Sequence, residues 1–367
     1  MKVKLTEICT PKQWKTIPTN ELLDEGYPVY GANGIIGYYN EYNHENSVVT
    51  ITCRGATCGT INITEPKSYI TGNAMCLDNL QPGILLEYLY YCLLHYDFRN
   101  VISCSAQPQI TRQGLEKVEI EISSIEEQEK RITTLNKINV VITARQQQLQ
   151  KLDDLVKARF VEMFGDMLLN DMAWQESILD TLADVVSGIT KGRKIRETEL
   201  IEVPYMAVSN VKDGYIDWTT VKTIMATKQE IEQYRLLPYD VLMTEGGDPD
   251  KLGRGSVITK PLKNSIHQNH IFRVRLQTER ILPVYFSEYL QHQKAKRYFL
   301  GCAKQTTGIA SINMKQLRAL PVLVPPLKLQ EQFATFVEQT DKSKIAVQKA
   351  LDEAQLLFDS LMQKYFG

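Results

Sequence analysis

No stretch of this 367-residue chain approaches the roughly 18 consecutive apolar residues that a membrane-spanning helix needs, so no membrane partner is expected. The opening segment, MKVKLTEICTPKQW, lacks the apolar core of a secretory signal, and a cytoplasmic location is expected from the cysteine usage. Cysteine is sparse and odd in number. Seven residues scattered over the chain argue against a disulfide framework and for reduced thiols. Charge of one sign is not in excess either, since the net charge of −1 excludes a uniformly basic nucleic-acid coat. With 43% hydrophobic and 23% charged residues the chain is globular, and its length suggests two or three domains.

Signatures of catalysis are missing as well. Residues 187–194, SGITKGRK, lack the spacing with which a P-loop cradles phosphates. The only Pro-Pro, Pro325-Pro326, reads as a helix boundary rather than as the amine-holding motif of adenine methyltransferases. The acids of residues 246–250, GGDPD, sit in turn chemistry, and no acid-x-Lys follows on a strand to complete a nuclease metal site. Cys53 and Cys58 have no second pair and no suitably spaced His for zinc, so they read as free thiols. No Ser-His-Asp or paired-carboxylate arrangement is legible. The chain is read as a non-enzyme with no cofactor or metal of its own.

What is present is a repeat. The segments ending at Gly165 and Gly367 align without a gap at an offset of 202, with Gln128/Gln330, Glu129/Glu331, Ala144/Ala346, Leu149/Leu351, Leu155/Leu357 and Phe164/Phe366 in register. Each copy reads as a long helix. In the first, Ile125, Ile132, Leu135, Ile138, Ile142, Leu149, Leu152, Val156 and Met163 trace one coiled-coil seam. In the second, the seam runs through Leu327, Ala334, Val337, Leu351, Ala354, Phe358, Leu361 and Tyr365, and polar Thr340 and Lys344 weaken its centre. Ser124 with Glu127 forms a capping box for the first, and Pro325-Pro326 sets the start of the second. Such rods are unstable alone, and each copy is the other's obvious partner.

Ahead of each helix lies a region of short strand-like runs, Gly-rich breaks and one apolar helix, expected at 84–96 and again at 283–300. Residues 72–77 match 268–273 at an offset of 196. The charge is uneven: 1–122 holds 9 basic and 13 acidic side chains, whereas 174–324 holds 21 and 16, with basic clusters at 191–196 and 294–297. His267, Gln268, Asn269 and His270 form a polar cluster before a strand, and Asn and Gln there suit the edge of adenine.

These features together resemble the specificity subunit of type I restriction–modification systems, over essentially the whole chain. The carriers are residues 105–111 (SAQPQIT) with Leu115 and 124–128 (SIEEQ), and 306–313 (TTGIASIN) with Leu317 and 324–327 (VPPL). The loop 242–255 (LMTEGGDPDKLGRG) also belongs to the likeness, with 52–59 (TCRGATCG) at the corresponding place of the first half. The resemblance implies α/β target-recognition domains at 1–122 and 174–324, helical spacers at 123–165 and 325–367, and a linker at 166–173. The helices would pair as an antiparallel coiled coil with pseudo-twofold symmetry. Each domain would read half of an interrupted site on double-stranded DNA. Two methyltransferase subunits would bring S-adenosylmethionine, and restriction subunits would bring ATP- and Mg-dependent chemistry. Phosphate contacts are expected from Lys191, Arg193, Lys194 and Lys304, and further DNA contacts from loop side chains. These are Asn33, Arg54, Thr57, Asn73, Gln107 and Gln109 in the first half. In the second they are Asn210, Lys251, Arg254, His267, Gln268, Asn269, Thr306 and Thr307. The alternatives are the specificity subunit of another type of modification system, or a coiled-coil scaffold whose heads bind protein.

Overall fold

Both apolar seams form 40-residue helices, Ile125–Phe164 and Leu327–Phe366, in the computed structural model of the chain. The structure describes all residues except 33, 104–107, 195–198, 213, 249–251 and 307–308, together with the side chains of 305, 306 and 309. The first helix starts where Ser124 Oγ accepts from Glu127 N, and the second where Pro326 O accepts from Leu329 N and Gln330 N. Two compact units result: Met1–Gln147 with Val347–Gly367, and Gln148–Ala346. Each unit contains part of each long helix. No helix among the described residues is long and apolar enough to cross a membrane.

The first unit holds a four-stranded antiparallel sheet in the order Thr10–Gln13, Ala74–Asp78, Val49–Thr52, Ile61–Ile63. A three-stranded sheet places Tyr27–Gly31 between Gly34–Tyr39 and Tyr69–Ile70, and Lys2–Lys4 pairs with Glu119–Glu121. The helix Leu86–His95 buries Tyr88, Leu89, Cys92 and Leu93 on the core side. The helix halves meet around Leu135, Ile142, Phe358 and Met362, and Arg131 donates to Tyr365 O at 2.7 Å. Ile125, at the head of the expected seam, is instead 43% exposed, because the seam's first buried position is taken by Gln128.

The second unit repeats this plan. Its four-stranded sheet runs Ala183–Ser187, Ile271–Leu276, Val241–Thr244, Gly255–Val257, and its three-stranded sheet centres Ile201–Met206 between Lys222–Ala226 and Ile266–His267. Gln175–Ile178 pairs with Pro321–Val324. Here the helix halves run antiparallel: Phe333 packs on Phe160 and Phe164, and Lys344 bridges to Asp153 at 2.6 Å. The polar centre of the seam is therefore satisfied, with Lys344 paired to Asp153 and Thr340 Oγ1 donating to Phe336 O. The helix expected at 283–300 is two, Pro283–Gln291 and Gln293–Cys302, broken at extended His292. The break turns Ala295 and Phe299 into the core, where Gly253 at φ +72 leaves room that a Cβ would fill by colliding with the Phe299 ring.

Backbone hydrogen bonds define how the halves correspond. Thr71 N donates to Tyr30 O and Ala74 N to Thr71 O; in the second unit Gln268 N donates to Met206 O and Ile271 N to Gln268 O. Thr71 thus corresponds to Gln268, and the offset is 197, one more than the sequence match suggested. Asn73 is matched by His270, not Asn269.

The same comparison exposes a shared lock. Gln128 and Gln330 are fully buried. Gln128 Oε1 accepts from Leu85 N at 2.9 Å, while its Nε2 donates to Gly83 O and Ser123 O. Gln330 Oε1 accepts from Leu282 N at 2.8 Å, and its Nε2 donates to Arg280 O and Pro325 O. Tyr88 Oη to Glu121 O and Tyr285 Oη to Leu323 O add a second matched pair. Replacing Gln330 by Leu strips partners from three backbone groups and should cost about 2–4 kcal/mol. Denaturant unfolding should show this for Gln330→Leu, with exposed Glu331→Gln nearly neutral as the control.

Candidate functional site

In the first unit the strand Val49–Thr52 runs into Cys53 and Arg54, whose backbone is held from both sides. Cys53 N donates to Asn73 O, and Ile110 N to Cys53 O, each at 3.0 Å. Arg54 bridges Gln109. Around this point opens a cavity of about 350 Å³ lined by Ala32, Arg54, Gly55, Asn73 and Gln109. Thr57 Oγ1 approaches Ala32 O at 3.5 Å on its margin, and Thr52 Oγ1 fixes the same carbonyl at 2.6 Å. Arg54, Thr57, Asn73 and Gln109, four sequence candidates from three segments, are brought together. Arg54 is exposed, so its guanidinium is available to an acceptor, and the amides offer both donors and acceptors.

The second unit builds the equivalent place from Thr244, Glu245 and Gly246. Glu245 N donates to His270 O, Ile312 N to Glu245 O, and Thr244 N to Arg254 O. Gly246 pairs with Ser311, which pairs with Lys304. Ser187 Oγ donates to Asn269 O at 2.6 Å, and Asn269 N to Ile189 O, so the 187–194 loop lies along residues 267–269. Gly188 is required in that crossing, since a Cβ would run into the carbonyl of His267. Arg254, Gln268, Asn269 and Lys304 thus gather at one sheet end. Gln268 Oε1 lies 3.4 Å from Val208 N, and Arg254 Nε is buried with no acceptor among the described residues. Lys191 and Lys194 are exposed.

Three candidates serve the fold instead. His267 is fully buried, with Nδ1 facing Tyr234 O and Nε2 facing Val186 O. Asn210, 1% exposed, organises its own loop by accepting from Ala207 N and donating to Asp217 O and Thr220 Oγ1. Arg193 is engaged by both carboxylate oxygens of Glu230, which also caps a helix through Thr227. That pairing raises the Arg193 pKa and lowers that of Glu230, so this cation is neutralised at home. Asn33, Gln107, Lys251 and Thr307 lie outside the described residues, as does the side chain of Thr306.

Two groupings escaped the sequence reading. Glu245 and His270 form an exposed pair at 2.5 Å, 25 positions apart. In the first unit His44, Cys76 and Asp78 place potential metal-ligand atoms within 4.8 Å of one another. His44 Nδ1 lies 2.6 Å from Asn43 Oδ1 and Nε2 lies 2.9 Å from Asp78 Oδ1, so the imidazole is already held on both sides. No spacing rule links 44 with 76 and 78; only the alternation that places Cys76 and Asp78 on one strand face was readable.

The comparisons with known proteins agree on one family. A model described as the type I restriction modification DNA specificity domain matches residues 1–153 and 173–355. The putative type I restriction enzyme MjaX specificity subunit of Methanocaldococcus jannaschii is 26% identical over 187 residues, covering 50% of this chain and 44% of that protein. The EcoKI specificity subunit of Escherichia coli is 27% identical over 169 residues, covering 44% of this chain and 36% of that protein. The matches thus span less than half the length of either relative. Among solved structures, the type I restriction–modification S subunit from M. genitalium gives a TM-score of 0.61 at 16% identity, covering 100% of this chain and 96% of that one. A chain from a structure on assembly of the type I R-M system gives 0.54 at 15% identity, covering 100% and 97%. Both show likeness of fold.

The placement of His267 makes a pH prediction. Burial outweighs the two carbonyls facing it and lowers its pKa from 6.5 to about 4. The unfolded chain therefore takes up a proton that the folded chain refuses. The stabilisation is complete above about pH 6.5 and drains away as pH falls towards 4, by up to about 3 kcal/mol. Chemical denaturation between pH 7 and 4.5 should show a shallower loss for His267→Gln than for the wild type.

Proposed function

The chain belongs to the type I restriction–modification DNA specificity family, and on that premise we propose that it is the non-catalytic subunit telling a modification complex where on duplex DNA to act. Each unit reads one half of an interrupted site. Methyltransferase subunits carry S-adenosylmethionine and the transfer chemistry, and restriction subunits carry the ATP- and Mg-dependent steps. The observation that carries this reading is the matched pair of polar strand ends. One backbone hydrogen-bond pattern recurs in both units, yet it presents Arg54, Asn73 and Gln109 in one and Glu245, His270 and Ser311 in the other. A constant frame with different polar side chains is what reading two unlike half-sites requires, because base edges differ in their donors and acceptors.

Exposed Lys191, Lys194 and Lys304 suit phosphate contacts, which position a protein without specifying sequence. Sequencing of methylated motifs in cells with and without this gene tests the whole reading: the motif should vanish on deletion, and an unchanged methylome refutes it. In the assembled complex, Lys191→Ala and Lys194→Ala should each flatten the slope of log affinity against log salt by about one, equally for all sequences. Arg193→Ala, which removes a cation already paired, should leave that slope nearly unaltered and lower thermal stability instead.

A further inference from the structure

The two units carry different chemistry on one backbone frame, and we infer that Glu245, held by His270, accepts a hydrogen bond from the exocyclic amine of an adenine or cytosine in the major groove. The inference rests on the DNA-reading role proposed above. Cys53 and Glu245 occupy the same place by their backbone bonds to Asn73 and His270, and from Ile110 and Ile312. In the first unit that place is chemically silent, because the Cys53 thiol is fully buried, and the next residue, Arg54, offers a cation. In the second unit the order is reversed. Glu245 offers a carboxylate with about a third of its side chain exposed, and Gly246 and Gly247 follow with no side chain to compete for a base edge.

The carboxylate is oriented. His270 Nδ1 donates to Glu245 Oε2 at 2.5 Å, and His270 Nε2 accepts from Asn269 Nδ2 at 3.2 Å. A neutral imidazole satisfies both contacts, donating on one side and accepting on the other. Among the described residues Glu245 Oε1 has no donor, while Oε2 takes only that of His270. A carboxylate facing DNA is repelled by phosphates at every register, so it is tolerable only where a donor meets it. The major groove supplies such donors as the N6 amine of adenine and the N4 amine of cytosine. Arg54 in the first unit has the complementary preference, for the O6 and N7 acceptors of guanine.

The test is methylated-motif sequencing of the assembled complex in cells, with Glu245→Gln, His270→Phe and Arg54→Gln introduced one at a time. Glu245→Gln should reduce discrimination at a single base pair of one half-site by about ten- to a hundredfold and leave the other half unchanged. His270→Phe should loosen the same base pair, a readout that a purely structural role would not move. Arg54→Gln should relax the other half-site and so assign the halves. Binding of the wild-type complex to duplexes lacking one exocyclic amine at a time needs no variant to fold. It should find one amine in the second unit's half-site whose removal weakens binding about tenfold or more. If an active Glu245→Gln complex keeps its motif, or no such amine is found, the inference is overturned while the specificity role stands. A wild-type motif that does not depend on this chain overturns both.

Discussion

A side-chain amide buried at the root of each long helix is the constraint on which the rest of each unit depends. A 40-residue amphipathic helix has no fixed position of its own, because an apolar seam can slide against apolar partners at little cost. Gln128 and Gln330 remove that freedom. Each amide is withdrawn from water and must find three specific backbone partners, two of them at the entry to the unit's apolar helix and one just before the long helix itself. A slip of one residue would leave all of these groups unpaired in a dry site, and the penalty for an unpaired buried group exceeds the modest gain from a paired one. Tyr88 and Tyr285 act in the same direction, tying the apolar helix to the strand that precedes the long helix.

With helix and sheet fixed to each other, the strand ends become a rigid frame whose side chains can vary. The bonds that hold Cys53 and Glu245 are backbone to backbone, so they impose no demand on the residue's chemistry. Gly188 shows how tight the frame is, since the crossing of the 187–194 loop over His267 admits no Cβ. A buried neutral His267 beneath that crossing fits the same economy: a charged group there would face a desolvation that the carbonyls of Val186 and Tyr234 only partly offset.

The repeat, the two rods and the order of elements were legible because helical registers tolerate no gap; an offset of 202 survives only if both copies keep one periodicity. Loops keep no period, and there the reading slipped. Asn73 and Asn269 were matched by identity, whereas the hydrogen bonds of Thr71 and Gln268 set the offset at 197. The 283–300 helix looked continuous because nothing in its composition marks His292 as a break, although the turn there goes with the burial of Ala295 and Phe299. The site candidates divide on a similar line. Arg54, Thr57, Asn73 and Gln109 were recognisable as polar residues in Gly-rich loops, and they do converge. Arg193, Asn210 and His267 had the same local appearance, but partners distant in sequence claim them.

The same partnering decides which cations of the second half carry its basic surplus. Arg193 pairs with Glu230, Arg273 with Asp184, Arg275 with Asp240, Lys294 with Glu176 and Arg318 with Asp180. Each such pair removes one charge of each sign, so the basic surplus of 174–324 falls to the cations that no carboxylate claims. Exposed Lys191, Lys194, Lys222, Lys260, Lys263, Lys304 and Lys315 are among the cations left for a polyanion. In the proposed role their attraction for a duplex acts alike at every sequence. Most of the discrimination must then come from side chains whose partners are base edges, and for those a single carboxylate is as informative as a cation because it rejects every register that offers it no donor.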